Sequence, residues 1–211
     1  MQFRNHENKR TCTKTYANYQ DYKQYLASDF SHRCAYCNLL DSKITSFFEV
    51  DHFVPQAETK KNKDFVFLDT DYNNLVYACR NCNNAKSNIF EGDLTIDPYE
   101  NKRFYDPVKK DYNEIFERNK YGAISSADSK GKSMIVDLKL YKPIHNLAWI
   151  CEQLDSLSER LKNASGNEQN QERKKILESA ELQALRYYKT CSAIFTANFN
   201  NKNFKAEDIH V

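Results

Sequence analysis

Glycine and proline are scarce in this sequence, with four of each among 211 residues. So few turn-forming residues do not fit an all-β protein with many short strands and tight loops. They fit helices with a few strands, and the 13 Phe and 14 Tyr residues supply apolar surface for a packed core. A chain of this length holds one domain, or a small domain with an appendage.

Long apolar runs are also missing. No run approaches the length that crosses a membrane, and the first ten residues are polar, without the apolar centre of a secretion signal. We therefore expect a cytoplasmic protein without a membrane partner. In that reducing compartment, the seven cysteines indicate metal ligands and buried thiols, not disulfides.

The sequence has no large excess of charge of either sign. Lysine and arginine number 31 against 29 acidic residues, which gives a formal net charge of +2. Many nucleic-acid-binding domains are far more basic. A nucleic-acid substrate must therefore be inferred from particular residues, and a partner protein is expected to supply much of the binding.

Four of the cysteines form two Cys-x-x-Cys pairs, with residues 38–78 between them: Cys34 with Cys37, and Cys79 with Cys82. Four thiolates at this spacing predict one tetrahedral zinc site, with a tight turn inside each pair. A redox function is the alternative, but it explains one such pair better than two matched pairs. A zinc ion held by four cysteines has no open coordination position, so we predict that it folds the protein and does not catalyse.

Between the two pairs lies the dipeptide Asp51-His52, after a short predicted strand and shortly before Pro55. Neighbours in an ideal strand point to opposite faces, so these two serve one site only if the strand ends at about Asp51. A carboxylate and an imidazole at a strand end indicate a second metal site that does chemistry. Histidine also has an ordinary pKa that suits a base near neutral pH.

The complete order of motifs resembles the HNH endonuclease family, the ββα-metal nucleases. After the first cysteine pair and Asp51-His52 come Asn73-Asn74-Leu75, and then the second pair followed directly by Asn83. The resemblance covers residues 34–90. It implies an α+β fold in which a strand pair and a helix surround one divalent cation, commonly Mg2+, with zinc knuckles in many members.

The resemblance also implies roles for single residues. Asp51 resembles the first metal ligand, and His52 resembles the general base that activates water. Asn74 resembles the asparagine that holds the histidine loop in place, with Asn73 as the alternative. The last signature position holds Asn83 where many members have histidine, as in the HNN variant. An amide oxygen is a suitable ligand for Mg2+ and a weaker one for softer ions.

Two basic residues near Asn83 are candidates for binding a substrate phosphate. Lys86 follows Asn83 by three residues, on the same helical face, and is predicted to hold a phosphate oxygen. Arg80 is a second candidate, although an exposed arginine at a zinc knuckle explains it equally well. The lysines at positions 60, 61 and 63 are better explained as part of a solvated loop over residues 56–73.

We predict four segments: an N-terminal helical segment (1–33), a nuclease core with the zinc site (34–92), a mixed α/β extension (93–142) and a C-terminal helical hairpin (143–211). The first contains a helix over residues 16–30 whose aromatic stripe is better explained by core packing than by base stacking.

The other three segments also carry predicted elements. The helix of the nuclease core is predicted to stop near Gly92. In the extension we predict a hairpin at Gly122 and a strand over residues 134–141. The last segment should contain two helices joined by a flexible link over residues 163–171.

The function predicted from these residues is a metal-dependent endonuclease with one catalytic Mg2+ or Mn2+ ion and a structural zinc ion. DNA is the preferred substrate on family grounds. The extension loosely resembles that of stand-alone HNH proteins in bacterial anti-phage systems of the Septu and retron type, which act with an ATPase partner. That likeness lies in Tyr105-Asp-Pro107, Gly122 and Leu138-Lys-Leu140. We expect the C-terminal helices to cover the core, with docking of a partner protein as the alternative.

Two other hypotheses stay open at this point. One is a non-catalytic, zinc-stabilised module that binds nucleic acid or protein, for which zinc matters while His52 and Asn83 do not. The other is a nuclease subunit that is inactive alone and cuts only inside a complex.

Overall fold

A computed structural model describes residues 1–43, 48–205 and 207. The chain divides into two compact units, one comprising Met1–Lys120 and Ile124–Tyr141, the other comprising Tyr121–Ala123 and the residues from 142 onward. The described residues form helices and two small antiparallel sheets, which confirms the predicted α+β class.

The first unit contains four α-helices and four strands among the described residues. In chain order they are α1 (Lys23–Asp29), β1 (Phe48–His52), α2 (Gln56–Thr59), β2 (Leu75–Cys79), α3 (Arg80–Lys86), β3 (Glu117–Arg118), β4 (Ile124–Ser125) and α4 (Ser129–Asp137). Short 3-10 turns cover Tyr19–Tyr22, Asp41–Lys43, Lys63–Asp69 and Tyr72–Asn74.

A strand pair followed directly by a helix forms the centre of this unit. β1 and β2 are antiparallel, with Asp51 opposite Val76 and His52 opposite Leu75. α3 begins at the residue after β2 and ends at Lys86, because Ser87 adopts a left-handed backbone with φ of +46°. The helix is therefore shorter than predicted, and Gly92 plays no part in stopping it. The order strand, strand, helix is the one that the family resemblance implies.

The N-terminal helix is also shorter than predicted. It opens with the 3-10 turn at Tyr19, where the side chain of Asn18 accepts a hydrogen bond from Gln20 N, and becomes α-helical at Lys23. Tyr22, Leu26 and Phe30 are buried, which confirms core packing as the explanation of half of the stripe, whereas Tyr16, Tyr19 and Tyr25 are only partly buried.

The segment predicted to be a loop over residues 56–73 has local structure of its own. Pro55, with φ of −63°, precedes α2, and the side chains of Asn62 and Asp71 cap the two 3-10 turns that follow. Asx caps of this kind are local and do not show in the hydrophobic pattern, so the prediction of an irregular loop was wrong here.

Of the two predictions made for the extension over residues 93–142, one is correct and one is wrong. The hairpin is present as β3 and β4, and Gly122 between them has φ of +79°, which glycine adopts without strain. The strand predicted over residues 134–141 is instead the end of α4 and a turn. Met134 and Leu138 are both buried and four residues apart, which is the spacing of a helix.

The second unit is a helical hairpin, as predicted, made of α5 (Pro143–Asn167) and α6 (Gln171–Asn198). α5 buries Leu147 and Cys151, and α6 buries Cys191 and Phe195. The link is shorter than predicted, because α5 continues through Asn167 and the side chain of Asn170 already caps α6. No helix in the described part of the chain is long and apolar enough to cross a lipid bilayer.

Candidate functional site

The four predicted zinc ligands converge, although their two pairs are far apart in sequence. All four are buried, and their Sγ atoms lie within 4.8 Å of one another. The Sγ atoms of Cys37 and Cys79 are 3.8 Å apart. A tetrahedron with Zn–S bonds of about 2.3 Å has edges of about 3.8 Å. The donor set and its dimensions therefore fit a zinc ion.

Local backbone structure positions these cysteines. The first pair occupies a turn in which Asn38 N donates to Cys34 O at 3.0 Å, and Ala35 N donates to Tyr77 O on β2 at 2.7 Å. Of the second pair, Cys79 ends β2 and Cys82 lies in the first turn of α3. Hydrogen bonds from the other thiols, that of Cys34 first, together with burial raise the pKa of Cys82 well above its ordinary value. Zinc binding must therefore displace protons.

Asp51 is buried on β1, with a protein partner at each carboxylate oxygen. The Tyr36 hydroxyl donates to Oδ2 at 2.6 Å, and Lys86 Nζ donates to Oδ1 at 3.1 Å. Burial, followed by the charge of Asp51, raises the pKa of Tyr36 well above its ordinary value, so this hydroxyl stays protonated and remains a donor.

The position of Lys86 differs from the one that its predicted role requires. A phosphate contact needs an exposed ammonium group, but Lys86 is fully buried, and its Nζ also donates to His52 O at 2.6 Å. The carboxylate of Asp51 and this carbonyl draw the lysine inward, because a buried ammonium group must be paired. Lys86 is therefore the charge partner of Asp51 and does not face solvent.

Glu49 lies two residues before Asp51 on β1, so α3 covers both carboxylates. Asn83 Nδ2 donates to Glu49 Oε2 at 2.7 Å, and Arg80 Nε donates to Glu49 Oε1 at 2.8 Å. The second predicted phosphate ligand, Arg80, is therefore in an ion pair. The bond from Asn83 Nδ2 leaves its Oδ1 as the atom able to bind a cation.

A hydrogen bond to the backbone fixes the tautomer of His52. Its Nε2 is 2.9 Å from the backbone oxygen of Asp69, and since a carbonyl only accepts, Nε2 carries the proton and Nδ1 is the basic atom. Burial lowers the pKa of His52, opposed by this hydrogen bond, so the ring is neutral at neutral pH. The ring of Tyr19 packs edge-on at a centroid distance of 4.6 Å.

β1 runs one residue further than predicted, through His52. Asp51 and His52 accordingly have different neighbours, Asp51 contacting α3 while His52 contacts Tyr19 and Asp69. Both residues nevertheless border one open cleft of about 300 Å³, together with Asn83. Three of the predicted site residues therefore share a single solvent-accessible site.

The segment that forms this cleft and the zinc site also matches a known family. Residues 34–88 match the family model of the HNH endonuclease. We call this segment the HNH domain. At the level of the family, the match supports a nuclease that acts on nucleic acid with divalent metal ions. No curated protein and no solved structure matches the chain.

Asn74 supports the loop that follows His52 in the HNH domain. Its Oδ1 accepts from Val54 N at 2.8 Å, and its Nδ2 donates to the carbonyls of Val54 and Leu68, both at 3.1 Å. Asn73, the alternative, is exposed and bonds to Asp71. Asn74, and not Asn73, therefore bonds to buried backbone groups of the loop that follows His52.

Sequence reasoning missed three contributors to the HNH domain: Tyr19 beside His52, Tyr36 on Asp51, and Asp69, whose side chain accepts from Thr59 Oγ1 at 2.6 Å. The sequence did contain a clue to the role of Tyr36, because a buried tyrosine inside a zinc knuckle needs a hydrogen-bond partner for its hydroxyl. The sequence contained no clue to the role of Asp69, because its contact with His52 uses a backbone oxygen, which every residue has.

Proposed function

We propose that this protein is a metal-dependent endonuclease that hydrolyses phosphodiester bonds of DNA in the cytoplasm. The observation that carries the proposal is the tautomer of His52. Because Nε2–H is engaged by the backbone oxygen of Asp69, Nδ1 is the basic atom of a histidine that borders the same cleft as Asp51 and Asn83. A correctly placed general base is typically worth about 100- to 10,000-fold in rate.

Asp51 and Asn83 would hold the catalytic cation. Carboxylate and amide oxygens are the hard donors that Mg2+ and Mn2+ bind. Each carboxylate oxygen of Asp51 accepts one hydrogen bond, from Tyr36 or from Lys86, and has a further lone pair for a cation. Asn83 bonds to Glu49 through Nδ2, so its Oδ1 can coordinate the same cation. When bound, a divalent cation would stabilise the negative charge on the phosphate and on the departing 3′ oxygen.

His52 would carry out the proton transfer. Nδ1 accepts a proton from water as the water oxygen attacks phosphorus, and the Asp69 carbonyl stabilises the imidazolium through Nε2–H. The bond between phosphorus and the 3′ oxygen breaks and the departing oxygen takes a proton from solvent water, so the products carry a 5′ phosphate and a 3′ hydroxyl. Asn74 fixes the backbone after His52 through its hydrogen bonds with Val54.

Cleavage of supercoiled plasmid tests the proposal. Wild-type protein, His52→Ala and the control His32→Asn are each incubated with plasmid and Mg2+ or Mn2+ after zinc content and folding are checked. His32 is exposed with φ of +58°, a conformation that asparagine tolerates, so this control changes a histidine outside the cleft. We expect cleavage by wild type and His32→Asn only. Equal cleavage by all three proteins would contradict the role of His52. A parallel assay with RNA in place of plasmid shows which of the two nucleic acids is the substrate.

A second candidate function is a non-catalytic, zinc-stabilised module that binds nucleic acid or protein. The observation in its favour is that both oxygens of Asp51 already have protein partners, Tyr36 and Lys86. This hypothesis predicts nucleic-acid binding that is unchanged in His52→Ala and no cleavage by folded, zinc-loaded wild type under any divalent cation.

We further propose that the nuclease acts as a subunit of a bacterial anti-phage defence system, with an ATPase partner on the C-terminal helices. The near-neutral charge of +2 predicts weak binding to DNA by the chain alone. α6 also exposes Ile176, Leu182 and Leu185. We expect an ATPase to co-purify with wild type from its own host and to be lost on Leu182→Glu. Strong DNA binding and cleavage by the isolated chain would contradict dependence on a partner.

A further inference from the structure

Two arginines from outside the HNH domain are buried against the first zinc knuckle. Arg4 and Arg118 are each 4% exposed. Arg4 Nη2 donates to the backbone oxygen of Ala35 at 2.8 Å, and Arg118 Nη2 donates to that of Cys37 at 2.9 Å. Both acceptors belong to the four-residue turn Cys34–Cys37, which carries two of the zinc ligands. Segments far apart in sequence therefore bring two positive charges to the same short turn.

Aromatic rings lie beside both guanidinium groups, two at Arg4 and one at Arg118. The Cζ atoms of Arg4 and Arg118 lie 5.4 and 5.3 Å from the ring centroid of Phe3, and Arg4 Cζ lies 4.2 Å from that of Tyr112. The backbone oxygen of Phe3 accepts from Asn38 Nδ2 at 3.0 Å, which ties the N-terminal segment to the residue after Cys37. The rings exclude water, so electrostatic interactions with these cations are less screened than at the surface.

A buried guanidinium group requires a compensating negative charge. Among the described residues, Arg4 has no carboxylate within ion-pair distance, and its buried Nε has no hydrogen-bond acceptor. One backbone oxygen and two aromatic faces are weak compensation for a full charge. The contacts of Arg4 therefore leave its burial unexplained by the protein alone.

We infer that Arg4 and Arg118 balance the charge of the zinc centre. Four thiolates outweigh one Zn2+ ion, so a zinc ion bound by these buried cysteines forms a dianionic centre that itself needs positive charge nearby. Two buried arginines on the backbone of its first knuckle supply that charge. The inference rests on the zinc site alone and holds whether or not the protein is a nuclease. It also gives the N-terminal segment and the β3 strand a function, namely to stabilise zinc binding.

Zinc affinity tests the inference. Wild-type protein is compared with Arg4→Gln, Arg4→Lys, Arg118→Gln and Arg118→Lys, and with Arg173→Gln as control, because Arg173 is an exposed residue on α6. Glutamine keeps a donor for the carbonyl without the charge, whereas lysine keeps the charge. Zinc transfer to 4-(2-pyridylazo)resorcinol is measured for each full-length protein at several chelator concentrations, with far-UV circular dichroism before and after.

We expect each glutamine variant to bind zinc about tenfold more weakly or worse, while the lysine variants and Arg173→Gln stay within a few-fold of wild type. Wild-type affinity in both glutamine variants overturns the inference. Equal weakening by glutamine and lysine also overturns it, because geometry and not charge then matters. If a glutamine variant does not fold, refolding with excess zinc decides: rescue by mass action supports the inference, and no rescue assigns the arginine a packing role.

Discussion

The hydroxyl of Tyr36 donates a 2.6 Å hydrogen bond to Oδ2 of Asp51. Tyr36 lies between Cys34 and Cys37, and Lys86, which binds the other oxygen of Asp51, lies one helical turn after Cys82. Both partners of Asp51 therefore belong to segments that carry zinc ligands. The zinc centre and the candidate catalytic carboxylate are parts of one connected arrangement.

Replacing Tyr36 by phenylalanine tests the first of these bonds. Tyr36→Phe should lower the free energy of unfolding by about 1–3 kcal/mol, because a buried carboxylate oxygen loses its donor. Denaturant titration of the zinc-loaded protein measures the change. Tyr187→Phe, at an exposed position on α6, is the control and should change stability by less than about 0.5 kcal/mol. A Tyr36→Phe protein as stable as wild type would show that the bond contributes nothing.

The buried pair of Lys86 and Asp51 is tested by a double-mutant cycle. Lys86→Met should lower the free energy of unfolding by about 3–5 kcal/mol, because it leaves an uncompensated buried carboxylate. Adding Asp51→Asn removes that charge and should restore part of the loss. Equilibrium unfolding of both single variants and the double variant gives the coupling energy. Strictly additive losses would mean that the two charges do not interact.

Asn74 and Asn73 provide a matched comparison, since they are neighbours and chemically identical. Asn74→Ala removes three hydrogen bonds to buried backbone groups and should destabilise the protein by about 3 kcal/mol or more. Asn73→Ala, at an exposed position, should change stability by about 0.5 kcal/mol or less. Thermal and denaturant unfolding measure both. The reverse order of stability would reassign the loop-holding residue to Asn73.

Removing zinc should unfold the HNH domain. The four buried cysteines have no disulfide, and structural zinc in small domains contributes on the order of 10 kcal/mol of folding free energy. A chelator should therefore abolish near-ultraviolet circular dichroism from the buried tyrosines, and zinc, but not Mg2+, should restore it. Retention of this signal in protein shown to be free of metal would contradict a structural role for the ion.

Glu49 should affect catalysis through Asn83. Glu49→Ala frees the amide of Asn83 to rotate, so we expect the concentration of Mg2+ needed for half-maximal cleavage to rise about tenfold. Plasmid cleavage across a Mg2+ titration measures it, with Glu178→Ala on the exposed face of α6 as control. An unchanged Mg2+ requirement would show that Glu49 does not orient Asn83.

The sequence by itself determined the zinc ligands, the strand-strand-helix order and the helical hairpin. The strand-strand-helix order follows from the resemblance of the motif order to the HNH family, whereas the zinc ligands and the hairpin depend on short-range spacing: two residues between cysteines, and apolar positions three and four apart. Local geometry dictates such patterns, and a sequence displays them directly. The strand predicted over residues 134–141 shows the limit, because Met134 and Leu138 fit a helix equally well and packing decided.

Only the tertiary structure decided what each polar side chain contacts. The sequence predicts that Lys86 binds a phosphate, but folding places it on Asp51, because a buried ammonium group and a buried carboxylate stabilise each other. The tautomer of His52 depends on a backbone oxygen of Asp69, and the charge around the zinc site depends on Arg4 and Arg118 from distant segments. Spacing along the chain specifies which residues can bind a metal, whereas long-range packing determines their partners, charges and protonation.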